Sequence, residues 1–258
     1  MRFLGIIPAR YASTRFPGKP LADIGGKSMI HRVYEQASLA VNDVYVATDD
    51  ERIYRHVLDF GGRSVMTSPG HRSGTDRCAE AAQKIEAIGK ESFDVVINIQ
   101  GDEPFIQPRQ LGLLKDCFSD ANTLIATLVK KISGTDDLFN PNIPKVILDQ
   151  QRNAIYFSRS TIPYLRNHEK DVWLQHHTFY KHIGIYAYRS ATLLLLTGLP
   201  QSPLELAESL EQNRWIEKGF KVRVAETDME NLAVDTPGDL EKARAYLEGQ
   251  AKGSAKKQ

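Results

Sequence analysis

Between Ala9 and Pro20 the sequence ARYASTRFPGKP carries Arg10, Arg15 and Lys19 and no acid. Small and turn-forming residues, Ala12, Ser13, Pro17 and Gly18, separate the cations, so an anion could meet positive side chains and bare backbone N–H groups together. A solvated basic loop is the plainer reading. Three cations with no compensating acid nearby repel one another unless an anion lies among them, and the polyanion that suits such a loop is a nucleoside triphosphate. The usual phosphate signatures do not claim it. Gly26-Lys27-Ser28 has the ending of a P-loop, but Leu21 stands where the first glycine belongs, and no GxGxxG occurs.

Two distant acids bear on the same chemistry. Asp102 follows the apolar run FDVVINI, so its carboxylate should emerge at a strand end, and Asp235 stands just before a second candidate, the start of a helix. Each has an ordinary alternative: Asp102 as a turn residue before Glu103-Pro104, Asp235 as an acid beside a helix start where Thr236 and Asp239 make a capping box. Together beside a polyphosphate loop they suit Mg²⁺, a hard cation held by one or two carboxylates while phosphate and water complete its shell. Arg159, after the apolar AIYFS, could clamp a carboxylate bidentately or form an internal ion pair. His182 opens an apolar strand as a candidate hydrogen-bond donor to a ligand. His176 and His177 fit no metal-ligand spacing. Glu211 and Gln212 fall late in a predicted helix over 204–218, where a solvated face explains them equally well.

These residues must be positioned by alternating elements. Phe3 to Ile7 is a continuous apolar run ending at Pro8, as in a strand buried on both faces of a parallel sheet. A helix over 27–40, a strand over 43–50, a helix over 51–60 closed by Gly61-Gly62 and a strand over 63–67 continue a βαβαβ rhythm. A helix after the polar loop 71–77, a strand over 93–99, a helix started by Pro108, and a strand over 123–132 follow. The alternation then weakens: 145–148 and 154–158 pair as a hairpin, 160–177 is irregular, and 182–189 is again a strand. A strand over 221–227 and a helix over 236–248 close the chain, and the tail 249–258 reads as disordered. The class is α/β, a three-layer αβα arrangement with a mostly parallel central sheet and a smaller β-containing lobe inserted at about 140–190. Ligands of such sheets bind at strand carboxyl ends. Ala9 to Lys19, Asp49-Asp50, Gln100 to Pro104 and Asp228 to Asp235 all fall there.

Bulk composition restricts partners. Across 258 residues, 33 basic and 32 acidic side chains give a net charge of +1, so no global field favours nucleic acid or a membrane surface. Cys78 and Cys117 lie in no metal or disulfide pattern, and the first residues have no hydrophobic stretch of signal-peptide length. A cytoplasmic protein without membrane insertion is expected.

Taken in order, IPARYASTRFPGKPL, ATDD, HRSGTDR, NIQGDEP, FNPNIPKVILD, YFSR, HIGIYAYR, SPLELAESLEQNR and VDTPGDLE resemble the 3-deoxy-manno-octulosonate cytidylyltransferases, or CMP-KDO synthetases, over about Met1 to Leu247. The resemblance implies a nucleotide-diphospho-sugar transferase fold, a homodimer and Mg²⁺ dependence. It implies the reaction CTP + KDO → CMP-KDO + pyrophosphate, which activates the sugar acid for lipopolysaccharide. It places Ala9, Arg10, Ser13, Arg15, Lys19, Ser73, Gly74 and Gln100 around the nucleotide, with Lys19 also catalytic. It makes Asp102 and Asp235 metal ligands, and it gives Arg159, His182, Tyr186, Glu211 and Gln212 to the sugar acid. Phe16, where the family more often has Leu, and the basic tail are mild departures. The rival readings are a cytidylyltransferase for another acid sugar and a glycosyltransferase, which normally shows an Asp-x-Asp motif that Asp102-Glu103-Pro104 lacks.

Overall fold

The structure, a computed structural model, describes residues 1–12, 16–230 and 232–255. Its contacts divide it into two compact units, Met1–Leu111 with Glu230–Gln258, and Gly112–Met229. The stretch expected as an inserted lobe, about 140–190, falls within the second unit.

In chain order the first unit contains β1 (Phe3–Ala9), the short ladder β2 (Asp23–Ile24) and β3 (Lys27–Ser28), α1 (Met29–Ser38), β4 (Asp43–Thr48), α2 (Glu51–Asp59), β5 (Ser64–Met66), α3 (Gly74–Gly89) and β6 (Val95–Asn98). Helix α4 (Pro108–Cys117) spans the division. Strands run in the order β6-β1-β4-β5, all parallel. Residues Leu4 to Ile7 and Val95 to Asn98 are all buried, as a sheet covered on both faces requires. β1 runs through Pro8 to Ala9, past the expected stop. Its ladder to β6 ends at Ile6, so at Pro8 only β4 remains as a partner and a missing N–H is tolerated.

The second unit holds β7 (Ile125–Lys131), α5 (Thr135–Phe139), β8 (Lys145–Leu148), β9 (Ala154–Ser158), α6 (Trp173–His176), β10 (Tyr180–Arg189), α7 (Ser190–Thr197), α8 (Pro203–Glu208), α9 (Gln212–Glu217) and β11 (Val222–Glu226). β7 is parallel to β11 and antiparallel to β10, and the hairpin β8–β9 lies at the residues expected and pairs with β10. The helix predicted over 204–218 is instead two. Ser209 takes a left-handed backbone, φ 50°, which ends α8, and α9 starts afresh after Glu211.

Helix α10 (Pro237–Ala255) returns to the first unit. Leu240 and Ala243 pack with Ile24, Met29 and Val234, so the apolar stripe of α10 closes the core around the β2–β3 turn. The helix continues through residues 249–255, where the sequence suggested disorder.

Candidate active site

The site of the first unit is assembled by loops that follow parallel strands. After β1 the chain folds back on itself: the Gly18 amide donates to the Tyr11 carbonyl at 2.9 Å. Gly18 has φ 72°, which favours glycine, and starts the short 3-10 turn Lys19–Leu21. The Arg52 guanidinium lies 3.3 Å from the centroid of the Tyr11 ring and is itself held by Asp50 at 2.7 Å. Asp50, also the N-cap of α2, therefore supports the loop from beneath.

After β6 the backbone passes against the end of β1. A Cβ on Gly101 would come within 2.9 Å of the Pro8 carbonyl oxygen, so only glycine permits this approach. That passage presents Asp102. The Val234 amide donates to the Asp102 carbonyl at 2.9 Å, which brings the segment before α10 alongside and delivers Asp235.

The three side chains meet. Lys19 Nζ lies 2.8 Å from Asp102 Oδ2 and 3.2 Å from Asp235 Oδ1. The basic loop lacks a compensating acid only along the sequence: in space two carboxylates from positions 83 and 216 residues away neutralise Lys19. Capping does not account for Asp235, because Thr236 and Asp239 make that box between themselves. The donor set fits a divalent metal: one cation already sits between two carboxylates, and a hard cation needs no more than these from the protein when phosphate oxygens and water complete its shell.

A cavity of about 420 Å³ surrounds this triad. Ala9, Arg10, Ser73, Gly74 and Gln100, which the resemblance gives to the nucleotide, are among the residues that line it. Ser13 and Arg15 lie outside the described residues. Ser73 and Gly74 form the start of α3, where Ser73 Oγ accepts from the Asp76 amide at 3.1 Å and Asp76 closes the capping box. Sequence reasoning missed Arg77, which also borders the cavity; it is 1% exposed, donates to Thr67 Oγ1 at 2.6 Å and lies 3.3 Å from Asp49. Its spacing of four from Ser73 on a capped helix was the available signal. Asp49 thus serves the site indirectly.

The five residues predicted to hold a sugar acid all lie in the second unit, in a drier setting. Thr127 Oγ1 donates to the Ile185 carbonyl at 2.7 Å, so it accepts from His182 Nε2 at 2.9 Å and leaves Nδ1 as the acceptor of a neutral ring. Desolvation pushes the His182 pKa down to about 3. The Tyr186 hydroxyl is buried with no hydrogen-bond partner among the described residues, and burial, then the nearby Glu211 charge, pushes its pKa well above the usual phenol value. Glu211 and Gln212 stand at the start of α9, with Gln212 buried, and not late in a long solvated helix. Arg159 donates to the carbonyls of Glu208, Pro141 and Ser209 at 2.7, 3.1 and 3.4 Å. Glu208, which no spacing pointed out, accepts from Ser158 Oγ, the Arg159 amide and Tyr156 at 2.6, 2.9 and 3.2 Å.

A cationic cavity at the strand ends of a parallel α/β sheet, with two acids converging on it, defines a nucleotide-handling enzyme. The profile of the family described as Cytidylyltransferase matches residues 4–227. The Parabacteroides distasonis protein named 3-deoxy-manno-octulosonate cytidylyltransferase is 61% identical over 251 residues, 96% of this chain and 98% of its own length. The Bacteroides thetaiotaomicron protein of the same name is 58% identical, over 97% of this chain and all of its own. The solved structure of a CMP:2-keto-3-deoxy-manno-octonic acid synthetase complexed with CTP has a TM-score of 0.88 at 42% identity, covering 97% of this chain and 100% of that one. The chain belongs to the 3-deoxy-manno-octulosonate cytidylyltransferase family.

Proposed function

We propose that this protein activates 3-deoxy-manno-octulosonate for lipopolysaccharide assembly, joining it to the cytidylyl group of CTP with loss of pyrophosphate. The single observation that carries the reading is the meeting of Lys19, Asp102 and Asp235 in the nucleotide-sized cavity. The sugar acid is taken from the names of the relatives and from the implied roles of Arg159, His182, Tyr186, Glu211 and Gln212.

In this reading the anomeric hydroxyl oxygen bonds to the α-phosphorus, the bond to the bridging oxygen of the β-phosphate breaks, and pyrophosphate leaves with the electron pair. The hydroxyl proton passes to solvent. Little covalent chemistry falls to the protein, which supplies position and charge. Asp102 and Asp235 would hold Mg²⁺. When bound, that ion supplies electrophilic polarisation of phosphate and of the attacking hydroxyl. Lys19 and Arg10 offset charge that develops on the leaving group. Ser73, Gly74 and Gln100 orient the nucleotide's cytidine end, and the resemblance adds Arg15 to the residues that grip the triphosphate and Ser13 to those that bind the nucleotide. His182, neutral with Nδ1 open, accepts a hydrogen bond from a sugar hydroxyl and stays unprotonated, and Tyr186 offers its O–H as a donor.

We further propose that the protein works as a cytoplasmic homodimer, with the second unit holding the sugar acid and contributing to the dimer. Leu195 on α7 and Leu206 on α8 are exposed apolar side chains of that unit, 63% and 61% accessible. Light scattering at micromolar concentration tests the dimer. Pyrophosphate release with CTP, Mg²⁺ and either 3-deoxy-manno-octulosonate or neuraminic acid tests the substrate. Turnover with the first and not the second is expected; preference for neuraminic acid would overturn the assignment.

A further inference from the structure

One stripe of α3 grips the loop that leads into the cavity. Arg77, Glu80 and Lys84 stand at i, i+3 and i+7, so they share one face of the helix. Arg77 Nη1 donates to Thr67 Oγ1 at 2.6 Å. Glu80 Oε2 accepts from the Ser68 amide at 2.9 Å and from the His71 ring. Lys84 Nζ donates to the Met66 carbonyl at 2.9 Å and lies 2.7 Å from Glu80 Oε1. Residues 66–71 are thus fastened to the helix that their own continuation begins, and the last residues of that continuation, Ser73 and Gly74, line the cavity. Hydrogen bonds from Lys84, Ser68 and His71 outweigh the desolvation of Glu80 and hold its carboxyl at about 2, so the clasp is ionised at neutral pH.

We infer that Glu80 is a positioning residue for the cytidine end of the nucleotide, acting through the loop 67–74 and leaving the triphosphate end to Lys19 and Arg10. The physical ground is geometric. Glu80 does not border the cavity, yet it holds both the amide of Ser68 and the ring of His71, and only two residues separate His71 from Gly74. With that carboxylate removed, Ser73 and Gly74 keep their helix cap but lose the brace that sets their approach. This inference rests on the reading of the cavity as a CTP site.

The test is equilibrium binding of CTP and of inorganic tripolyphosphate by calorimetry, with steady-state kinetics alongside, on Glu80→Ala and Glu80→Gln. Glu80→Ala should weaken CTP about tenfold and raise its KM to match, with kcat and tripolyphosphate affinity within about twofold. Glu80→Gln retains a carbonyl acceptor for the Ser68 amide and should recover CTP affinity to within about threefold of wild type. Equal loss of CTP and tripolyphosphate, or a fall in kcat at constant KM, would overturn the inference, as would unchanged CTP affinity. If Glu80→Ala does not fold, Lys84→Met should show the same selective pattern at about threefold, and its absence would overturn the inference too. Failure of the wild-type protein to bind CTP would instead sink the functional reading itself.

Discussion

Two charged clusters, one in each unit, treat charge in opposite ways. In the first, Lys19, Asp102 and Asp235 are partly accessible, border a cavity and neutralise one another across elements far apart in the chain. In the second, charge is withdrawn from water and tied internally: Glu205 and Arg214 form a bidentate pair at 2.7 and 2.5 Å with both side chains at most 10% exposed, and His182 is neutral. An accessible ion cluster can exchange partners with an incoming polyanion, because water and ligand can take over each contact. A buried, satisfied network cannot do so cheaply, and it holds shape instead.

Substitutions can break this contrast. The largest effect should come from Asp102→Asn, which should lower pyrophosphate-release turnover by about 10²–10³-fold while CTP affinity changes far less, since its charge matters most as the phosphate reorganises. Near-normal turnover would remove Asp102 from the chemistry. Next, Arg214→Met strands Glu205 without its partner in the second unit and should cost about 3 kcal/mol in urea unfolding. A change under about 0.5 kcal/mol would show that the pair is not shielded from water as its geometry requires.

Acidification separates the units further. His182 has a folded pKa of about 3 against an ordinary 6.5, so below 6.5 the unfolded chain takes up a proton that the folded protein refuses. Stability from this source is full above 6.5 and is lost as pH falls toward about 3. The melting temperature of wild type should therefore drop more steeply than that of His182→Gln across this range; parallel curves would contradict the neutral ring. Glu80 in the first unit works in a lower window. Its folded pKa of about 2 lies below the ordinary 4.5, so its contribution is complete above 4.5 and disappears as pH falls to about 2. Glu80→Gln should be less stable by about 1 kcal/mol at pH 7, allowing for its partial exposure, with the gap closing only below the ordinary carboxyl range.

The parts of the molecule that could be read from sequence are those whose signal is local. The apolar runs of β1 and β6, the hairpin β8–β9 and the capping box at Thr236 each report on neighbours within a few residues, and all were legible. The split between α8 and α9 was not, because Ser209 carries no glycine-like warning of its left-handed backbone. Glu208 escaped for a different reason. Its partners are two hydroxyls and an amide from around β9, about 50 residues earlier, and nothing in its own surroundings marks it. Gln212 lies on a helix predicted through 204–218, whose spacing offers no means of telling its buried turn from its wet one.

A parallel α/β architecture, a cationic loop after the first strand and two candidate acids are legible in the amino-acid order alone, because periodicity, turn chemistry and residue type act over short stretches of chain. That Lys19 is not a bare cation emerges from the folded contacts. Folding closes the Gly18–Tyr11 turn, lays Gly101 against Pro8 and draws Val234 onto Asp102. Those contacts place two carboxylates on one ammonium, and Coulomb attraction depends on distance in space, not on separation along the chain.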